Sequence, residues 1–146
     1  MVQLIILDDN TFFRIGIKYA FEGNPDIHVA ADKCRDAAFF GLLERTPADV
    51  VLLGVNNPND TDCLTIARQI RHDFPTVKIL AVADQNTIRV VQALMKAGIN
   101  GYIGAGQASR DELEKAIQKV VAGEKYIGRI DCYKHGVESS QLSVEI

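Results

Sequence analysis

The chain is poor in residues that staple or ligate. Its three cysteines, Cys34, Cys63 and Cys132, form an odd set without a CxxC pair, and its three histidines, His28, His72 and His135, stand far apart. Neither a disulfide framework nor a zinc site is expected from such a set, and a reducing compartment is the default. Long apolar runs are missing too. The N-terminal stretch is too short for the core of a signal peptide and runs straight into Asp8-Asp9, and no later run approaches a membrane span. A cytoplasmic location without membrane contact is therefore expected. Blocks of Lys or Arg are also lacking. With a net charge of -3, the chain has little with which to neutralise clustered phosphates, so it is not expected to bind DNA itself.

What is present reads as one α/β domain. At 146 residues, 47% hydrophobic and 24% charged, the chain is long enough to bury a real core. Short apolar runs at about 2–7, 27–31, 49–53, 77–83 and 100–103 alternate with helical patterns at about 11–22, 35–45, 61–73, 86–97 and 109–122. The alternation predicts a parallel sheet with helices on both faces. Ser109 and Glu112 form a capping box for the last helix, and Gly123 sits where its C-terminal cap belongs, so the domain is expected to end near there.

Several runs end in informative residues. Ile5-Ile6-Leu7-Asp8-Asp9 closes on an acidic pair. Asp49-Val50-Val51-Leu52-Leu53 leads to Gly54 and then to Asn56 and Pro58. Val77 to Ala83 and Lys96 to Ile103 follow, the latter reading KAGINGYI. Over about residues 2–124 these segments resemble the receiver domain of bacterial two-component response regulators. The resemblance implies a flavodoxin-like (βα)5 fold with strand order 2-1-3-4-5. It also implies that Gly54 stands at the phosphoacceptor aspartate position, Ala83 at that of a Thr or Ser, and Ala105 at that of a Lys. Asp8 and Asp9 match the metal-binding acidic pair, and Tyr102 matches an aromatic that swings between inward and outward positions during signalling.

Phosphoryl transfer to a carboxylate needs a nucleophile, a hard cation held by oxygens, and donors for the charge on the transferred group. Glycine at 54 supplies no nucleophile, and Ala83 and Ala105 supply neither hydroxyl nor ammonium. Losing a carboxylate and a lysine together keeps the local charge balanced, which fits a phosphate-independent pocket. Asp8 and Asp9 are then expected to be vestigial, with Asp9 or Asn10 capping the first helix and at most weak Mg2+ binding. Asp60, Asp62 and Asp84 lie near the same rim, where a solvated role is expected of them. The methyl of Ala83 leaves room for Tyr102 to be parked inward, and an ordinary half-buried tyrosine fits equally well. Gly104-Ala105-Gly106 permits close backbone approach, so a small ligand over Gly54 and Gly104 stays open beside a plain flexible loop.

Residues 125–146 read as a linker or tail. Gln141 to Ile146 resemble the threshold of a helix-turn-helix domain, while Phe12-Phe13-Arg14-Ile15-Gly16 and Ala122-Gly123-Glu124 resemble receivers of the NarL/LuxR type. DNA contact is accordingly expected only through a C-terminal domain beyond this chain. The favoured expectation is no enzyme and no cofactor, but a homodimerising regulatory domain. Its partner contacts are expected on the helix 4/strand 5/helix 5 face or the helix 1/helix 5 face, with Ile117 and Val121 as candidates, though core burial suits each. The competing class, an enzyme on the same scaffold, lacks a phosphate-cradling loop, a nucleophile paired with histidine, and a metal cluster.

Overall fold

Apolar runs without polar alternation have to be covered on both faces, and the computed structural model arranges them so. It describes residues 1–55, 61–84 and 88–128. Asn56, Pro58, Asp60, the expected first turn of the fourth helix at 86–87, and the tail with Cys132, His135 and Gln141 to Ile146 lie outside the described residues. The strands are β1 (Val2–Leu7), β2 (Ile27–Lys33), β3 (Val50–Val55), β4 (Lys78–Ala83), β5 (Gly101–Gly104) and β6 (Tyr126–Ile127). They form one parallel sheet in the order β2-β1-β3-β4-β5-β6. The helices are α1 (Thr11–Ala20), α2 (Ala38–Arg45), α3 (Thr61–Asp73), α4 (Ile88–Ala97) and α5 (Arg110–Val121).

Side chains alternate across each strand, which divides the core in two. Leu4, Ile6, Leu52 and Leu80 meet Ile17 and Phe21 from the α1 side and Leu113, Ala116, Ile117 and Val120 of α5. Ile5, Leu7, Val51, Leu53, Ile79 and Ala81 meet α2, α3 and α4 through Phe39, Leu43, Ala67, Ile70, Val91 and Leu94. Of the two candidate contacts on α5, Ile117 is therefore core, while Val121 is exposed. Among the described residues no helix is long and apolar enough to cross a membrane.

The helix ends explain where the structure departs from the pattern. Asn10, rather than Asp9, caps α1, its Oδ1 accepting from the Phe13 amide at 3.1 Å. The second helix begins at Ala38 instead of 35, because Asp36 Oδ1 accepts from the Ala38 amide at 3.0 Å, and Arg35 is drawn back toward Asp9. At α5 only half of the capping box forms. Ser109 Oγ accepts from the Glu112 amide at 3.2 Å, but the Glu112 carboxylate accepts from the Tyr126 hydroxyl at 2.5 Å. Gly123, at φ +92, closes α5 with Gly123 N–H donating to Val120 O and Glu124 N–H to Lys119 O.

Tyr126 belongs to a strand that the sequence pattern did not show. Among the described residues the sheet has six strands, not five, and it continues past 124 into the segment read as a linker. Gly101 pairs with Tyr126 and Tyr102 with Ile127, and Gly128 N–H donates to Tyr102 O at 2.8 Å. Two residues are too few for any periodicity. Burial, together with the Glu112 hydrogen bond and charge, pushes the Tyr126 phenol up from 10.0 to about 12. A raised phenol favours the folded chain fully below its ordinary value and loses that advantage as pH climbs through the raised one. Release of β6 is thus expected between about pH 10 and 12. Phenolate absorbance compared between the parent chain and Tyr126→Phe would show it.

Candidate functional site

The carboxyl ends of β1, β3, β4 and β5 converge on one rim, where loops of an open α/β sheet form its cleft. Asp8 follows β1 directly and is 4% exposed, a buried carboxylate. Its Oδ1 accepts from the Asn10 amide at 2.7 Å, and its backbone oxygen accepts from the Arg14 guanidinium. Arg14 in turn pairs with Asp32 at 3.0 Å. The second carboxyl oxygen of Asp8 points at β3. A methyl group built on Gly54 would lie 1.7 Å from Asp8 Oδ2 and 2.4 Å from its Cγ. Gly54 has no positive φ, so any residue fits its backbone, and the missing side chain is what admits the Asp8 carboxylate.

Asp9, beside it, is engaged from the β2–α2 loop. Arg35 donates its backbone amide to Asp9 Oδ1 at 2.8 Å and its Nη2 to Oδ2 at 3.1 Å, with Nε at 3.3 Å. Both guanidinium nitrogens converge on one carboxylate oxygen, a charge-assisted contact stronger than a neutral hydrogen bond. The remaining Nη1 reaches the Cys63 thiol, which donates to Gly54 O at 3.2 Å. Cys63 is fully buried. Arg35 and Cys63 were not singled out as site residues from sequence. The signal for Arg35 was available in topology, since β2 borders β1 and the loops leaving both strands must be neighbours.

The other expected positions are distributed as follows. Asp8 and Ala105 line one cavity of about 60 Å3 with Asn10, Phe13, Val82 and Asp84. Ala83 pairs with Val55 and is fully buried. Asp84 and Asp62 are exposed, Asp62 at the start of α3 near Asp9, Arg35 and Asp36. Gly104 has an ordinary extended backbone at φ -71, and Ala105–Gln107 form a short 3-10 turn. Among the described residues no three His, Cys, Asp or Glu side chains gather to hold a metal. Tyr102 is 0% exposed and lies in the apolar cluster that holds Ala83, Val90, Val91 and Leu94. Burial drives its phenol far above the ordinary tyrosine range.

Comparison with known proteins agrees with this architecture. The transcriptional regulatory protein DegU of Brevibacillus brevis is 29% identical over 126 residues, covering 86% of this chain and 52% of DegU. The chain thus spans about half the length of that relative. The isolated receiver domain of RcsB from Salmonella enterica serovar Typhimurium, in its apo form, superposes with a TM-score of 0.76 at 22% identity, covering 87% of this chain and 92% of that one. RcsB in a structure of two dimers bound to two parallel DNAs gives a TM-score of 0.74 at 24% identity, over 86% of this chain and 63% of that one. At these identities the superpositions speak for the fold. The response regulator receiver domain family matches residues 4–118, and its relatives here are of the NarL/LuxR type. This chain belongs to the response regulator receiver domain family.

Proposed function

We propose that this chain is an atypical receiver domain that works without phosphorylation, as the regulatory and dimerising module of a LuxR-type transcription regulator. The Asp8 carboxylate carries the reading, because it fills the volume above Gly54, the matching position for a phosphoacceptor. No nucleophile reaches that point from Gly54, and Ala83 and Ala105 bring neither hydroxyl nor ammonium to a phosphoryl oxygen. The acidic pair does not suit Mg2+, which binds through freely offered carboxylate oxygens and, usually, substrate phosphates. Asp9 is instead neutralised by Arg35, and Asp8 is turned toward β3. The Asp8–Asp9 pair is read as vestigial, and no cofactor is assigned.

The inward, fully buried Tyr102 supports a signalling face held in one arrangement, since Ala83 beneath it has no hydroxyl to move. Relatives such as DegU are transcription regulators, and the RcsB structure holds dimers on DNA. By analogy this domain acts in the cytoplasm as a dimer and reaches DNA only through a C-terminal domain. The alternative is a small ligand in the cleft; among the described residues the cavity shared by Asp8 and Ala105 holds about 60 Å3 and one beside Asp9 and Arg35 about 230 Å3, both below the several hundred Å3 of a typical ligand site.

A two-dimensional amide spectrum with Mg2+ and then beryllofluoride tests the proposal. The expected spectrum is unchanged. Shifts across residues 8, 9, 54, 83 and 105, or retained label from acetyl phosphate, would overturn it.

A further inference from the structure

β6 is tied to β5 through its backbone: Tyr126 N–H donates to Asn100 O at 3.3 Å and Gly128 N–H to Tyr102 O at 2.8 Å. Its side chains divide across the sheet, Tyr126 against the α5 side and Ile127 against the α4 side, and both are half-buried. So short an edge strand belongs to the least stable part of a sheet. Its end nevertheless reaches the rim. A Cβ on Gly128 would stand 3.3 Å from Tyr102 O, 3.4 Å from Ile103 Cα and 3.5 Å from Gln107 Oε1. The chain thus leaves the sheet pressed against the 3-10 turn Ala105–Gln107, whose first residue lines the cavity with Asp8.

Glu112 is the residue with two uses. It stands in the first turn of α5 behind the N-cap Ser109, where a complete capping box turns the carboxylate back to the Ser109 amide. Here the Ser109 N–H donates to Gln107 O at 2.9 Å, and the carboxylate accepts from the Tyr126 hydroxyl instead. While Tyr126 holds Glu112, that N–H is left to the rim turn. We infer that β6 is a releasable clasp and that Glu112 trades its two states. Closed, its carboxylate is on the Tyr126 hydroxyl; open, it takes the Ser109 amide, draws it off Gln107 O and loosens the turn at Ala105. The open state replaces one charge-assisted hydrogen bond by another, at a helix end that favours an anion, so the two states lie close in free energy. Coupling of this kind is reciprocal. Whatever draws on the chain past residue 128 changes the rim, and whatever holds the rim turn tightens the grip on that chain. The role rests on the reading of this domain as the regulatory module of a longer regulator, and it places control at the exit of the domain instead of in its cleft.

Amide spectra and hydrogen exchange of the full chain, without Mg2+ or phosphate analogues, test the clasp. Tyr126→Phe removes only the closed-state partner of Glu112. It is expected to shift the amides of residues 105–109, the Ser109 proton moving downfield as it meets a carboxylate, and to speed exchange at Gly128 about tenfold, the weight of one hydrogen bond. Ile127→Asp, which frees β6 through its buried side and not through the phenol, should do the same. Protection kept in β1 separates opening from unfolding, and Tyr126→Phe alone decides if Ile127→Asp loses it. Adding Glu112→Ala to either variant is expected to abolish the downfield move of Ser109, since no carboxylate is left to receive its N–H. Shifts confined to residues 126–128, or a Ser109 response that survives Glu112→Ala, overturn the proposal. Shifts at residues 8, 9 and 54 of the parent chain on adding Mg2+ and beryllofluoride would remove the phosphate-independent reading, while the clasp is decided by Ser109 in the absence of both.

Discussion

Gly54→Ala is expected to lose about 3 kcal/mol of stability, lowering Tm by about 10 °C for a domain of this size. The added methyl would stand 1.7 Å from Asp8 Oδ2 and 3.0 Å from Asp8 Cβ, so a rotation of the carboxylate alone does not clear it. The buried Asp8 side chain has to leave the volume it fills, taking with it the bond from the Asn10 amide. Gly54→Asp is worse, since it sets a second carboxylate against a buried first one. Denaturant titration with an unchanged slope would identify a loss confined to the native state. A double-mutant cycle with Asp8→Ala is expected to return at least about 1 kcal/mol of coupling, because the Asp8 truncation makes room for the methyl. Additive losses would mean that the two residues do not compete for one space.

Arg71→Ala should cost a similar amount, about 3 kcal/mol, by a different route. From the last turn of α3, Arg71 donates to Gly98 O through Nε and Nη2, to Pro75 O and Val77 O through Nη1, and to Asn100 Oδ1 through Nη2. Asn100 Oδ1 also accepts from the Ile79 amide at 2.9 Å. One guanidinium thus ties the end of α3, the start of β4 and the turn that leads into β5. Burial pulls its pKa down, yet guanidinium stays charged in proteins. Alanine would leave several partly buried carbonyls without their donor, each a penalty of about 1–3 kcal/mol where water cannot replace it. Arg71→Lys should rescue little, since a single ammonium cannot span the same acceptors. Amide exchange at Ile99 and Gly101 is the sharper readout. Protection lost there but kept in β1 would locate the damage at the entry to β5.

The five long strands and five helices were legible because their apolar periods are set by burial, and Val51, Leu53, Ile79 and Ala81 have no other way to leave water. Helix ends were legible where a side chain does the capping, as Asn10 and Ser109 do. β6 was not, because it is made by backbone pairing to β5 and by one phenol reaching Glu112, neither of which has a period. At the rim, the residues at 8, 9, 54, 83 and 105 were picked out by the resemblance to receiver domains, which matches them to motif positions near the strand ends. What the strand pattern could not give was the direction in which Asp8 turns, which depends on the empty space at Gly54 across a strand boundary. Nor could it give Arg35 a target. Its engagement with Asp9 joins residues 26 apart and emerges only once β2 lies beside β1.

Arg35 has one more consequence. A metal ion at an acidic pair comes and goes with its concentration, and an ammonium on a titratable amine with its surroundings. A guanidinium tethered to the same backbone does neither, remaining cationic at every physiological pH. Under the proposed reading, the counter-ion of Asp9 is therefore built into the polypeptide. On that reading Asp9 has a counter-ion whatever the divalent level in the cell, and control over such a regulator would rest on how much of it is made and with what it pairs.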